Sequence, residues 1–511
     1  MNILLVAFTC FSLITALDYS LDVKNSFESA YLAYLHLAFP NDELKPFSHS
    51  SQSMFNMPLS IIDSLDTLYI MELHHLHPPK TLIRPYITKF HPSNVSLFEF
   101  NIRVLGSLIS MYDLTYDQYY LNQAVLIGER LLTAFRSSSS YFPFANFNLL
   151  TQTGSYHSWT NNKVVLSEIG TLSLELYALG DRSSDVRFSR VANDLLQKFN
   201  ITSQNADRST FQGNLVYNFV FPTLLDSEFL QTSSETFTLN GLADSYFEYI
   251  IKNFILLKGD PVYGTLSVSI ITEIINNLIS FSKEGYMFLG ELNGSYLSGK
   301  QEHLACFFPA TLLKFLITKD RYLPSLFDDT QLSNSLLIKT SISLTETCLR
   351  LYNQGLSPDG VSFEKDDQLE DVVLEKKFIS FLSADNDNYI KSNKKQKTIA
   401  YSISDSRYLL RPEVIESVYF AWCYTKDEMY IEKAKKLWNS VKKLQLPNGA
   451  FTCLKEFNQE LSESNIDDWQ PSWFLAETLK YFFLLFKEND YYCKYYVFNT
   501  EAHPIKMFKY N

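Results

Sequence analysis

Cysteine is scarce in this chain, with six residues in 511, and one of them, Cys10, lies in the apolar leader. The remaining five (Cys306, Cys348, Cys423, Cys453 and Cys493) are too few for a disulfide scaffold, and no CxxC spacing suggests a structural metal. One bridge and several buried thiols is the economical expectation. Basic charge is also in short supply. A net charge of −12 excludes nucleic acid as the main partner, because no basic stripe is present to neutralise phosphates. The one long apolar run that lacks charge, Met1 to Ala16, is shorter than the roughly twenty residues a membrane span needs. It reads as a signal peptide cleaved after Ala16, although the usual positive n-region is missing. No stable membrane span is expected after cleavage. No retention tetrapeptide closes the sequence, and no crisp internal repeat runs through it.

What is present is helical periodicity. Ile61, Ile62, Leu65, Leu68 and Tyr69 share one face, as do Phe98, Ile102, Leu105 and Ile109. Similar patterns recur near 24–37, 120–135, 164–178, 186–199, 240–256, 266–282, 303–317, 335–352, 412–424, 428–443 and 473–486. Strand-like runs are short and few. A dozen or more helices joined by polar turns predict an all-α chain built as one closed array of helical hairpins. The 40 Phe and 32 Tyr are mostly core in such a fold, although aromatic-rich chains also suit carbohydrate platforms. Residues 364–404 break the pattern with clustered charge and predict a solvated, flexible insertion. Sequons at Asn94, Asn200 and Asn293 agree with a secretory route.

Several carboxylates sit where apolar residues are expected. Glu99 lies between Phe98 and Phe100, and Arg103 follows four residues on, so the two share a helical face. An ordinary ion pair explains this, but a desolvated carboxyl there would have the raised pKa of a general acid. Leu410-Arg411-Pro412-Glu413 opens another helix, where the dipole alone accounts for Glu413; Glu416, one turn later, precedes an apolar run. Asp63, Asp66, Glu248 and Glu477 likewise interrupt apolar helices. Singly, each is more often structural than catalytic. Together they predict an acidic pocket in an apolar shell. The almost wholly apolar helix from Trp473 to Phe486 is expected to carry the tail, Phe498-Asn499-Thr500-Glu501-Ala502-His503-Pro504, back towards the interior.

With these motifs the chain resembles the class I α-1,2-mannosidases of glycoside hydrolase family 47. The matching segments are Ser60 to Leu68, Phe98 to Gly106, Asp244 to Tyr249, Gly290 to Leu292, His303 to Pro309, Gly355 to Pro358, Leu410 to Ser417, Phe474 to Tyr481 and Val497 to Pro504, in order over residues 17–511. The resemblance implies a single (αα)7 barrel and Ca²⁺-dependent trimming of α-1,2-linked mannose from high-mannose N-glycans of glycoproteins, with inversion. It implies Thr500 as the Ca²⁺ ligand and Glu501 near the metal's waters or sugar hydroxyls. Glu99 matches the acid and Glu413 the base, which in an inverting enzyme stand about 6.5–9.5 Å apart. Arg103, Glu248, Arg411, Glu416 and Glu477 match sugar-binding positions, and Trp473 stands where the family usually has Phe. Cys306 and Cys348 match the family's disulfide.

Three departures stand out. Gln301-Glu302-His303-Leu304 replaces the family's Met-Asp-His-Leu, and Gly355-Leu356-Ser357-Pro358-Asp359 replaces Gly-Leu-Ser-Pro-Glu. Both family carboxylates are implicated in catalysis, so Glu302 and Asp359 are counted as catalytic candidates, each displaced by about one methylene. Misplacement of about 1 Å can cost roughly 10²-fold. If the two side chains face one another, the swaps are expected to compensate. The third departure is Pro471, where the family commonly has Glu. The expected location is the lumen of the endoplasmic reticulum, with a disulfide-exchange or chaperone partner as a further expectation. The alternatives are a weakly active or inactive relative that recognises N-glycans of misfolded glycoproteins, and an (αα)6 inverting glycosidase acting on other sugars.

Overall fold

A computed structural model describes residues 2–89, 94–137, 140–328, 330, 332–366 and 399–508, with the backbone alone for 2–18 and 136–137. The helices alternate between an outer and an inner layer. Each hairpin runs outer then inner: α1 (Asn2–Leu37) into α2 (Leu59–Asp63) and α3 (Leu65–Ile70), then α4 (Lys80–Thr88) into α5 (Leu97–Phe100) and α6 (Gly106–Thr115). Next come α7 (Gln118–Ser137) into α8 (Leu166–Gly170) and α9 (Ser173–Ser183), and α10 (Val186–Gln204), past a short α11 (Phe211–Tyr217), into α12 (Asp244–Leu256). The last three pair α13 (Pro261–Asn277) with α14 (Phe308–Tyr322), α15 (Asn334–Arg350) with α16 (Glu413–Thr425), and α17 (Met429–Val441) with α18 (Leu479–Phe486). A short α19 (Tyr491–Tyr495) follows.

The inner helices touch in sequence: α3 on α6, α6 on α9, α9 on α12, α12 on α14, α14 on α16 and α16 on α18. The turn before α18 returns to α3, and α1 packs on α18. Seven hairpins therefore close a ring, as expected. Packing explains why. Every residue of α18 is buried, as the all-round apolar sequence requires. Each fully buried Leu or Phe there contributes about 1.5–3 kcal/mol, so a charge at Phe482 (2% exposed) would open the seam between first and last hairpins.

Local chemistry sets the boundaries. The pattern expected over 266–282 begins earlier and ends sooner, because Asp260 caps Val262 and Tyr263 N–H (3.0 and 3.1 Å) and Pro261 occupies the first turn. Ile279–Phe281 is a strand instead. The segment 164–178 is also broken: Val164–Val165 is strand, and α8 and α9 are separate. Strands are short, as expected, but they form eight small sheets among the described residues. In one, β1 (Lys300–Glu302) pairs antiparallel with β2 (Gly360–Phe363), which pairs with β3 (Tyr401–Asp405). Within the expected insertion at 364–404, Tyr401 to Ser404 are strand; residues 367–398 lie outside the described residues.

Cys306 and Cys348 form the disulfide, while Cys423, Cys453 and Cys493 are free and buried. Among the described residues no helix is long and apolar enough to cross a membrane. Asn94 and Asn293 are exposed, whereas Asn200 is half-buried inside α10.

Candidate active site

The inner helices present their N-terminal ends to one side of the ring, and the candidate residues collect there. Glu99 lies in the first turn of α5, whose Ser96 cap accepts from Glu99 N–H (3.3 Å). Asp244 is the first residue of α12 and Glu413 the first of α16. Positive helix ends favour carboxylates at these positions. Two inner helices carry π-helical turns, Asn101–Leu105 between α5 and α6 and Phe474–Thr478 before α18. The wider turns put Arg103 and Glu477 on the inner side; such bulges are frequent at functional sites.

The tail closes the opposite side. Strands β4 (Tyr496–Phe498) and β5 (Pro504–Lys506) form a hairpin that packs on α6 and α12. Its turn is pinned by Asn499, which is 1% exposed. The Asn499 amide donates to Ile102 O (2.9 Å) and Glu175 Oε1 (2.8 Å), and its carbonyl accepts from Glu501 N–H (3.0 Å) and His503 N–H (2.9 Å). Gly106 makes this possible: a Cβ there would lie 2.5 Å from Asn499 Nδ2. The tail is thus interior, as its sequence predicted.

One cavity of about 380 Å³ lies between these parts. Glu99, Arg103, Arg411, Glu413, Trp473, Glu477, Thr500 and Glu501 all line it. Glu248 and Glu416 lie behind the wall, joined by Lys252. The Lys252 ammonium ion-pairs with Glu248, reaches Glu416 Oε1 at 3.9 Å, and donates to Asn499 O at 3.3 Å. Arg103 is the hub. Its Nε donates to Glu99 Oε2 (2.7 Å), and Nη1 donates to Glu501, Ser472 Oγ (3.0 Å) and Asp63 (3.3 Å). The Trp473 indole donates to Leu409 O (3.1 Å), and its ring lies beneath the Arg103 and Arg411 guanidinium groups, 5.3 and 5.6 Å from its centroid. Pro471, the third departure, is buried and supplies no carboxylate; Glu43 instead accepts from Ser472 N–H (2.8 Å).

Glu302 and Asp359 do not face one another, which corrects the expected compensation. Their backbones are neighbours, with His303 N–H donating to Asp359 O (2.8 Å). Their carboxylates diverge. Glu302 Oε2 accepts from Gly241 N–H (2.9 Å), while Asp359 Oδ1 accepts from Arg411 Nε (2.6 Å). Glu302 ends β1 and Asp359 immediately precedes β2, and neither lines the cavity.

Sequence reasoning missed several groups. His303 Nδ1 is 2.8 Å from Glu413 Oε2, and its Nε2 is 2.8 Å from the Tyr352 hydroxyl. In the neutral tautomer with the proton on Nδ1, His303 donates to Glu413 and accepts from Tyr352 at Nε2. Asp244 and Glu168 line the cavity. Lys252 was open to the same i,i+4 argument that marked Glu99 and Arg103.

The electrostatics fall into two layers. Below the floor, charges are satisfied. His503 sits between Asp66 (2.8 Å) and Asp63 (3.2 Å), and Lys480 lies 3.0 Å from Asp66. Burial works against the ionised aspartates, but His503 and Arg103 hold Asp63, and Lys480 and His503 hold Asp66, below the usual carboxylate range. Around the cavity the balance reverses. Burial, with Glu248, Glu302 and Glu413 nearby, pushes Asp244 up to about 7. Burial pushes Glu416 up to about 8 despite Lys252, and lifts Glu477 and Glu501 despite Arg103. The upper layer thus has more buried carboxyls than cations to balance them. Thr500, half-buried on the floor, has no hydrogen-bond partner for its hydroxyl among the described residues. An oxygen-lined, acid-rich floor suits a hard divalent cation. Among the described residues no three His, Cys, Asp or Glu side chains converge on one point to hold a metal alone, so Thr500 oxygen and water would have to supply the contacts.

The sequence profile of glycosyl hydrolase family 47 matches residues 26–507. The chain belongs to glycosyl hydrolase family 47. It is 28% identical over 497 residues to human endoplasmic reticulum mannosyl-oligosaccharide 1,2-alpha-mannosidase, a match covering 95% of this chain and 63% of the human protein. It is 28% identical to the pig mannosyl-oligosaccharide 1,2-alpha-mannosidase IA (96% of this chain, 68% of that protein) and 29% identical to the human IB protein (95% and 69%). The solved alpha-1,2-mannosidase from Trichoderma reesei superposes with a TM-score of 0.77 at 23% identity, covering 96% of this chain and 99% of that one, which establishes the shared (αα)7 fold.

Proposed function

We propose that this family 47 member is an inverting α-1,2-mannosidase, removing terminal mannose from high-mannose N-glycans of glycoproteins in the secretory pathway, in the endoplasmic reticulum lumen. One observation carries the reading: Glu99 and Glu413 reach the same cavity from inner helices that are not neighbours in the ring, above a floor of Thr500 and Glu501. The names of the mannosyl-oligosaccharide 1,2-alpha-mannosidases that it resembles support the substrate class.

The residues divide the work. Arg103 holds one oxygen of Glu99, leaving the other to protonate the departing glycosidic oxygen. His303 holds one oxygen of Glu413, leaving the other to take a proton from the attacking water. Arg411, Glu477 and Glu501 offer hydrogen bonds to sugar hydroxyls, and Trp473 offers a ring face. Thr500 would hold Ca²⁺, which when bound supplies a hard cationic anchor for vicinal hydroxyls and offsets the surplus carboxylates. Cleavage of the leader after Ala16 would leave the packed part of α1, from Tyr19 onward, in place.

The test is incubation with a nine-mannose N-glycan, with and without a chelator. Chelator-sensitive release of mannose is expected, and Glu99→Gln should abolish it. The diverging Glu302 and Asp359 carboxylates favour a second reading, a glycan-binding relative with little activity; tight binding without release would select it.

A further inference from the structure

A second cleft, of about 550 Å³, opens beside the catalytic cavity where the strands Glu43–Lys45 and Ser50–Gln52 meet the segment around Asp467. Its walls include Lys45, Ser50, Gln52, Asp467 and Trp469. Some of its polar groups are already committed. Asp468 braces the turn by accepting from Phe47 N–H (2.7 Å) and Ser48 N–H (3.2 Å), and the Gln52 amide donates to Glu43 Oε2 (2.8 Å). Others are free: among the described residues the Lys45 ammonium and the Asp467 carboxylate make no hydrogen bond or ion pair. These two cancel in charge, and Asp468 leaves the lining net negative, which disfavours an anion. Together with the Gln52 carbonyl and an indole in the wall, they suit the hydroxyl donors of a neutral polyhydroxylated ring.

The cleft is joined to the catalytic cavity in two ways. Trp469 packs edge-on against Trp473, with centroids 4.7 Å apart and planes at 81°, and Trp473 lines the catalytic cavity. Glu43 accepts from Trp469 Nε1 (2.7 Å) and from Ser472 N–H (2.8 Å), and the Ser472 hydroxyl accepts from Arg103 (3.0 Å). A branched oligosaccharide whose terminal residue occupies the catalytic cavity has other branches that can reach this adjoining cleft.

We propose that the cleft is a second hexose subsite, holding an uncleaved mannose branch of the same oligosaccharide. Asp467 accepts from sugar hydroxyls, Lys45 donates to them, and Trp469 covers the C–H face of the ring. This rests on the mannosidase reading above. Linking a weak subsite to the catalytic one makes its binding intramolecular, at an effective concentration of the order of mM. For a subsite with a dissociation constant of about 0.1 mM, the expected gain in apparent affinity is about tenfold.

The test compares wild type with Lys45→Met/Asp467→Asn, two changes that break no hydrogen bond within the protein. On a nine-mannose glycan, KM should rise about tenfold with kcat unchanged, while kinetics on α-1,2-mannobiose stay as in wild type. Calorimetry with a five-mannose branched glycan that lacks α-1,2 linkages should show about tenfold weaker binding. Unchanged binding and KM, or equal losses on both substrates, would overturn the subsite and leave the mannosidase reading standing. Wild-type protein that neither cleaves nor binds these glycans would defeat the mannosidase reading itself, and the subsite with it.

Discussion

Asn499 offers a sharp test of how the tail is held. Asn499→Ala removes four buried hydrogen bonds, to Ile102 O, Glu175 Oε1, Glu501 N–H and His503 N–H. At about 1 kcal/mol each, with no water to replace them, the loss is roughly 4 kcal/mol. Asn499→Asp is more discriminating because it keeps the shape. The two accepting contacts survive, but the donor becomes an oxygen facing the Ile102 carbonyl and the Glu175 carboxyl, 2.8 Å away. Burial already pushes Glu175 upward, with the hydrogen bonds from Tyr249 and Asn499 opposing it. The introduced carboxylate and Glu175 can coexist by sharing one proton, so the folded state takes up a proton that the unfolded chain releases near pH 4. A raised folded pKa gives stability that is present at low pH and lost as pH rises. The deficit of Asn499→Asp relative to wild type should thus be small at pH 5 and about 2–4 kcal/mol at pH 8. Urea denaturation followed by far-ultraviolet circular dichroism at both pH values measures it. An equal deficit at pH 5 and 8, or none at pH 8, would refute the reasoning.

Gly106→Ala would put a methyl 2.5 Å from Asn499 Nδ2, and overpacking of this kind costs about 1–3 kcal/mol; a melting temperature equal to wild type would show that the tail approaches less closely. Glu302→Asp should lose its bond to Gly241, and Asp359→Glu should crowd Arg411. Because the carboxylates diverge, the effects on kcat/KM should multiply in the double variant, and recovery there would instead mean that they act as a pair. Asp244 and Glu416, raised to about 7 and 8, oppose ionisation in the folded chain. In chelator, the stability these two groups contribute should be fully present below the ordinary carboxylate range near 4 and should be lost as pH rises through 7–8, opposite in sign to the contribution of Asp63 and Asp66. Saturating Ca²⁺ should flatten that slope in thermal melts at fixed ionic strength, and an unchanged slope would remove the acid-rich floor as a cation site.

The ring was legible because helix period and apolar content are local properties. The run from Trp473 to Phe486 announced a buried helix, and the buried helix implied a buried tail. Local period could not show the strand at Val164–Val165, which exists only because Leu224–Leu225 lies beside it. The site was half legible for the same reason. Arg103 could be paired with Glu99 by spacing, but its contacts to Asp63, Ser472 and Glu501 span up to 398 residues. The Glu302 and Asp359 motifs named the right segments without revealing where each carboxylate points. That is decided by Gly241, which no motif contains, and by Arg411, which belongs to a different motif 52 residues further on. His303 was quoted within a motif, yet its role needs Glu413, 110 residues away.

Helix α1 lies against α18, and the hairpin of β4 and β5 plugs the inner ring. A chain made from its N-terminus must therefore wait for α18 before the first helix finds its partner, and for the hairpin of β4 and β5 before the pocket acquires its floor. During synthesis the six earlier hairpins can pair with their neighbours, but the proposed catalytic groups remain an open arc facing water. Chemistry is thereby tied to completion: a ribosome-bound or prematurely stopped chain carries Glu99 and Glu413 and has no floor on which to use them.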